Sequence, residues 1–193
     1  MPVARVVALA SGSGSLLQAL LDSAHGIGVE VVLVITDRQA QAEQRAGAAD
    51  VPVQRIELGA DRAEWDRHLL AALEAAQPDL VVSAGFMRVI GPAVLSRFQG
   101  RIINTHPALL PQFPGAHAVR DALAAGVQAT GATVHFVDAG VDTGPVIRQV
   151  SVPVLPSDDE PTLHERIKQV ERVLLVDVVR DFAQDLVTYP QEA

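Results

Sequence analysis

No cysteine occurs among the 193 residues. That removes disulfides, thiolate-bound zinc, iron–sulfur clusters and cysteine nucleophiles together, and it suits a reducing compartment, the cytoplasm by default. Long apolar runs are also missing. Val6–Ala10 and Val31–Ile35 extend only five residues, against the roughly 20 that a bilayer-spanning helix needs, so no membrane association is expected. An export signal is not expected either, because Ser11-Gly12-Ser13-Gly14 interrupts the first apolar run too early. Positive charge is scarce: Lys168 is the only lysine, and 15 basic against 23 acidic residues leave a net charge of −8. The arginines are scattered singly, so no basic stripe is available for a nucleic-acid backbone. A single small phosphate is a different matter, since it needs only a few well-aimed donors.

What is present is ordinary globular composition, 49% apolar and 20% charged, in a length that suits one compact domain. Short β-branched runs alternate with longer Ala- and Leu-rich segments, the pattern of buried strands joined by helices. Strands are expected at 4–10, 29–36 and 51–56, with helices at 15–24 and 39–48 between them. Residues 61–76 form an amphipathic helix, with Trp65, Leu69, Ala72 and Leu73 on one side and Arg62, Asp66 and Glu74 toward the other. A core strand at Leu80–Val82, a short helix from Pro92 to Phe98 and a strand at Arg101–Ile103 follow. From His106 to Gly115 three prolines make regular structure untenable, so this is an ordered loop leaving a strand end. A helix at 117–125, an antiparallel hairpin of strands at 130–137 and 145–152, and a last helix at 161–184 complete the chain, with 185–193 a polar tail. The fold class is α/β: one domain with a mixed, mostly parallel sheet of about seven strands and helices on both faces.

Three places carry the chemistry. Gly12, Ser13, Gly14 and Ser15 lie between a strand and a helix, where free backbone N–H groups and the helix dipole can cradle an anion. Gly12 and Gly14 also begin a dinucleotide fingerprint, and Asp37 ending the second strand imitates its ribose-binding acid, but Leu17 stands where the third glycine belongs. Asn104 and His106, two residues apart on an extended chain, share a face and enter a stiff proline-rich loop. An amide donor beside a protonatable imidazole suits a developing oxyanion, which is acyl-transfer machinery. Asp142, in the Gly-flanked turn 140–144, can supply the carboxylate that keeps such an imidazole cationic, with Asp138 its competitor. No pair of histidines has helical i, i+4 spacing, so no metal site is expected, and His135 reads as a supporting residue within a strand. A serine-hydrolase elbow is absent.

These segments resemble the phosphoribosylglycinamide formyltransferase family, folate-dependent enzymes of purine synthesis. The resemblance rests on Ser11–Ser15, Ala84-Gly85-Phe86-Met87-Arg88, the Asn104–Gly115 loop, Thr133-Val134-His135-Phe136-Val137 and Val141–Ile147, all in the family's order. It implies a Rossmann-like formyltransferase fold over 1–193, with a phosphate-binding half to about residue 100 and a catalytic, folate-binding half from about 101. It further implies that Asn104, His106 and Asp142 form the catalytic trio, and that 10-formyltetrahydrofolate is the cosubstrate, with no metal. Gly12, Ser13, Gly14, Ser15, Leu16 and Glu171 would contact the ribonucleotide, while Arg62, Met87, Arg88, Val89, Ile90 and Asn104 would border the folate. A homodimer is a family possibility.

The chain departs from the family at Ser13 and Leu16, where asparagine is frequent, and at Val170, where a glutamine often stands near the phosphate. The same formyl-folate domain resembles parts of methionyl-tRNA formyltransferases, which add a basic C-terminal domain, and of formyltetrahydrofolate hydrolases, which add a regulatory N-terminal one. An acidic chain of this length is expected to be neither.

Overall fold

The computed structural model describes residues 3–190. Among them one sheet runs in the order β3-β2-β1-β4-β5-β6-β7, from β1 (Ala4–Ala10), β2 (Val29–Thr36), β3 (Val53–Arg55), β4 (Leu80–Ser83), β5 (Ile102–His106), β6 (Ala129–Phe136) and β7 (Val146–Pro153). The first five strands pair in parallel, and β6 and β7 return antiparallel. The helices are α1 (Ser15–Ser23), α2 (Gln41–Ala48), α3 (Arg62–Ala76), α4 (Pro92–Arg97), α5 (Ala118–Ala124) and α6 (Glu160–Ala183), and a 3-10 turn spans Ala24–Ile27.

The alternation of β1 builds two cores. Val6, Ala8 and Ala10 face one side, where Leu17, Leu20, Ala42, Ala46, Leu163 and Leu175 bring in α1, α2 and α6. Val7 and Leu9 face the other, where Trp65, Leu69, Leu73, Val94 and Phe98 bring in α3 and α4. A strand buried on both faces is read from a continuous apolar run, which is why 4–10 and 29–36 are found at the expected bounds. The β6–β7 pair and the helices on both faces also match expectation.

Four details differ. β3 keeps only Val53–Arg55, all exposed on the sheet edge. β5 is longer than its apolar residues indicate: it continues through Asn104 and Thr105 to His106, so the irregular loop begins at Pro107. Asp66 is buried rather than turned to solvent, because α4 packs on α3 and the Ala93 N–H at the α4 N-terminus donates to its carboxylate at 3.1 Å. Gly91 is seated against this carboxylate, and a side chain there would collide with it. Finally, the tail is not merely polar: Val187 and Tyr189 pack on the core, Tyr189 edge-on to Phe136 with ring centroids 5.1 Å apart. Residues 191–193 of that tail lie outside the described residues.

Candidate active site

Strand order reverses between β1 and β4, since the chain winds outward to β3 and then crosses back to continue through β4 and β5. Loops leaving the carboxyl ends of adjacent strands diverge at such a point and open a crevice. A cavity of about 500 Å³ lies there, walled by residues 11–16, 83–90 and 104–107, the turn around Asp142, and the α6 side chains His164, Lys168 and Glu171. That volume is within the ordinary range for a small-molecule site.

At its centre Asn104 and His106 project from the end of β5, and His135 stands directly opposite Asn104 on β6. His106 is 4% exposed. Its Nε2 donates to the Phe113 carbonyl at 2.8 Å, and its Nδ1 lies 3.3 Å from Asp142 Oδ2. Both ring nitrogens thus face acceptors, an arrangement that the doubly protonated ring satisfies. Asp142 Oδ2 also accepts the Gly115 N–H at 2.8 Å. Burial works against ionisation of Asp142, but the His135 ring, the Gly115 N–H and the charge on His106 outweigh it and hold the carboxyl below its ordinary value. Asp138, the competitor, is occupied locally, accepting from the Thr143 hydroxyl and the Gly140 N–H.

His135 has a larger part than its place in an apolar strand indicates. Its Nδ1 donates to the Phe136 carbonyl at 2.8 Å, and its Nε2 sits 3.3 Å from Asn104 Nδ2 and 3.6 Å from Asp142 Oδ1. Its Nε2 serves one neighbour at a time, accepting the Asn104 N–H when unprotonated or facing Asp142 Oδ1 as a donor when protonated. Thr133, opposite His106, anchors the proline-rich loop, its hydroxyl donating to the Ala108 carbonyl at 2.6 Å and accepting the Leu110 N–H.

The Gly-rich turn occupies one wall. Gly14 caps α1 with φ of 70°, and a Cβ there would lie 2.9 Å from Ala42 Cα, so glycine is needed on both counts. No side chain caps α1, leaving its first N–H groups open to the cavity. Arg45 fixes the turn from α2, with Nε on the Ser13 carbonyl at 2.7 Å and Nη1 on Gln18. Across from it α6 presents His164, Lys168 and Glu171, spaced so that one helical face carries all three. Helical periodicity alone leaves His164 and Lys168 among solvated residues, yet both line the cavity. The usable signal was the sole lysine three residues before Glu171. Val170, next to them, packs against the core instead.

Glu171 is 4% exposed. Burial pushes its carboxyl from 4.5 up to about 7, against the pull of Lys168. An acid raised in the folded state contributes stability that is full below its unfolded value and is lost as pH rises through about 7. Glu171→Gln should therefore gain on the wild type between pH 5 and pH 8 by up to about 3 kcal/mol, read from urea midpoints of the ligand-free protein. Parallel pH dependences would refute the buried acid.

The opposite wall is apolar. Met87 and Val89 are 62% and 58% exposed, and Ile90 is buried behind them. Arg88 borders the cavity, whereas Arg62 does not line it: its guanidinium donates to the Val89 carbonyl and stacks 4.7 Å above the Trp65 ring, supporting the loop from outside. Among the described residues no group of three or more His, Asp or Glu is placed to hold a metal ion, and no helix is long and apolar enough to cross a membrane.

An imidazole paired with a carboxylate and flanked by an amide, at the centre of such a cleft, is equipment for moving an acyl group. Residues 4–179 match the formyl transferase family, and the chain belongs to it. Over 188 residues it is 58% identical to the phosphoribosylglycinamide formyltransferase of Mycobacterium tuberculosis, covering 96% of this chain and 87% of that one. Glycinamide ribonucleotide transformylase 1 from Symbiobacterium toebii superimposes with a TM-score of 0.92 at 42% identity, over 95% of this chain and 89% of that one. A formyltetrahydrofolate deformylase from Pseudomonas syringae also superimposes, with a TM-score of 0.90 at 27% identity, over 98% of this chain but 66% of its own.

Proposed function

We propose that the protein transfers the formyl group of 10-formyltetrahydrofolate to the primary amine of N1-(5-phosphoribosyl)glycinamide, yielding formylglycinamide ribonucleotide and tetrahydrofolate in purine biosynthesis. The observation that carries this is the placement of the Asn104–His106–Asp142 group between two unlike walls of one cavity. One wall offers open N–H groups from Gly12 to Leu16, the Ser13 and Ser15 hydroxyls, and Lys168, which suits a phosphate. Glu171 beside them suits a ribose hydroxyl. The other wall offers Met87, Val89 and Ile90 for a flat apolar-faced pterin, with Arg88 and Asn104 at its border and Arg62 holding the loop behind it. In this reading the half to about residue 100 supplies the phosphate-binding turn and also the apolar wall at 85–90, which the resemblance assigns to the folate-binding half, while the half from about 101 supplies the reacting groups, Lys168 and Glu171. The cytoplasm suits both substrates.

In the reaction the amine nitrogen bonds to the formyl carbon, and the carbonyl oxygen becomes an oxyanion. Asn104 and the His106 ring donate to it. The His106 Nε2–H, which points at the Phe113 carbonyl in the ligand-free protein, redirects its hydrogen bond to this oxygen, and the proton stays on the ring. Asp142 balances the charge on the ring and passes on the proton that the attacking amine sheds. Collapse breaks the bond to folate N10, which ends protonated.

Formyl transfer is followed by the folate absorbance change, with a control lacking acceptor. Release that requires the ribonucleotide is the expected result. Release without any acceptor would instead match the formyltetrahydrofolate deformylase named for the Pseudomonas relative and overturn the assignment.

A further inference from the structure

Asp37, just past β2, is a carboxylate outside the reacting group, and its side chain is fully shielded from solvent. Its Oδ2 accepts from Arg88 Nε at 2.6 Å and from Arg38 Nη2 at 2.8 Å. Burial opposes its ionisation, but Arg38, the Ser11 hydroxyl and Arg88 together hold the carboxyl below its ordinary value. It is therefore a charged group with no opening to a ligand, which removes the ribose-binding role that its position imitates.

Its neighbours tie the walls of the cavity together. Ser11 Oγ accepts the Met87 N–H at 2.8 Å, and the Ser11 N–H donates to the Gly85 carbonyl at 3.2 Å. The loop after β4 is thus fastened to the end of β1, and Asp37 reaches over from β2 to fix the side chain at its centre. The Gly-rich turn has separate fastenings, from Arg45 to Ser13 and from the Ala42 N–H to the Gly12 carbonyl. Loss of Asp37 should consequently loosen the wall built by 85–90 and spare the one built by 12–16.

We infer that Asp37 is a positioning residue for the folate: it holds the Arg88 guanidinium by Nε so that the 85–90 loop and the two Nη groups of Arg88 meet the cosubstrate in one fixed geometry. Nε engagement orients the fork of an arginine, which a point charge such as lysine does not reproduce. This rests on the formyl-folate assignment above.

Asp37→Asn keeps shape and removes the charge. Binding of tetrahydrofolate, measured by calorimetry, should weaken about tenfold, with the KM for formyl folate rising equally. Binding of the ribonucleotide and kcat should stay within about threefold. Arg88→Lys, at a side chain 30% exposed, preserves charge without the Nε contact, and it should reproduce the loss even if the Asp37 variant folds poorly. Unchanged tetrahydrofolate binding in Arg88→Lys, or equal losses for both ligands in a folded Asp37→Asn, would overturn the inference. Selective weakening of tetrahydrofolate in a protein whose wild type proved to be a hydrolase would sustain it while the acceptor assignment fell.

Discussion

His106→Ala is expected to lower kcat for formyl transfer by about 10³-fold, the scale set by losing a proton donor and an oxyanion partner together. The ring donates to the Phe113 carbonyl and pairs with Asp142, so alanine removes both contacts at once, while Asp142 Oδ2 keeps the Gly115 N–H. Neither acceptor belongs to the apolar cores, and the fold should survive. Affinity for both substrates should change little, because the interactions lost are those that strengthen only as charge develops on the formyl oxygen. Steady-state kinetics with calorimetric affinities separate the two effects. A folded variant retaining a tenth or more of wild-type kcat would remove His106 from the chemistry.

Asp142→Asn should cost about 10²-fold in kcat. The amide can still accept the Gly115 N–H through its oxygen, so the left-handed turn at φ of 55° has no reason to move. That same oxygen position faces His106 Nδ1, so what changes is the negative charge opposite the ring, and the amide nitrogen comes to lie beside His135 Nε2 in place of Oδ1. The wild-type carboxyl lies below its ordinary value, so Asp142 stays ionised through the usual carboxylate range and takes up a proton only as pH falls through that lowered value. The acid limb of the wild-type kcat profile due to Asp142 should therefore lie below the ordinary carboxylate range, and it should vanish in the variant. A loss confined to KM would assign Asp142 to binding instead.

How far the sequence is legible depends on what surrounds each residue. β1 and β2 are buried on both faces by the same chain, so continuous apolar runs mark them without ambiguity. β5 is cut short in the sequence because its last residues are polar, and they are polar because the strand ends inside the cavity. Asp66 shows the limit of helical periodicity, which assigns a polar residue to solvent unless a second helix end needs an acceptor. Asn104, His106 and Asp142 are identifiable by chemistry and meet as expected. His135 and Lys168 are harder, since one resembles core and the other a solvated helix face. Only the pairing of β6 with β5 and the docking of α6 bring them to the cavity.

The register of β5 on β6 sets a constraint on how such a chain can vary. Asn104 lies opposite His135 and His106 opposite Thr133, and each pair works only because its members point the same way. Substitution elsewhere on these strands leaves that parity intact, whereas gaining or losing a single residue inverts it and turns a polar pair into the core. Drift in these strands is thus free in letters and fixed in count, and changes of length are confined to the turns beyond them.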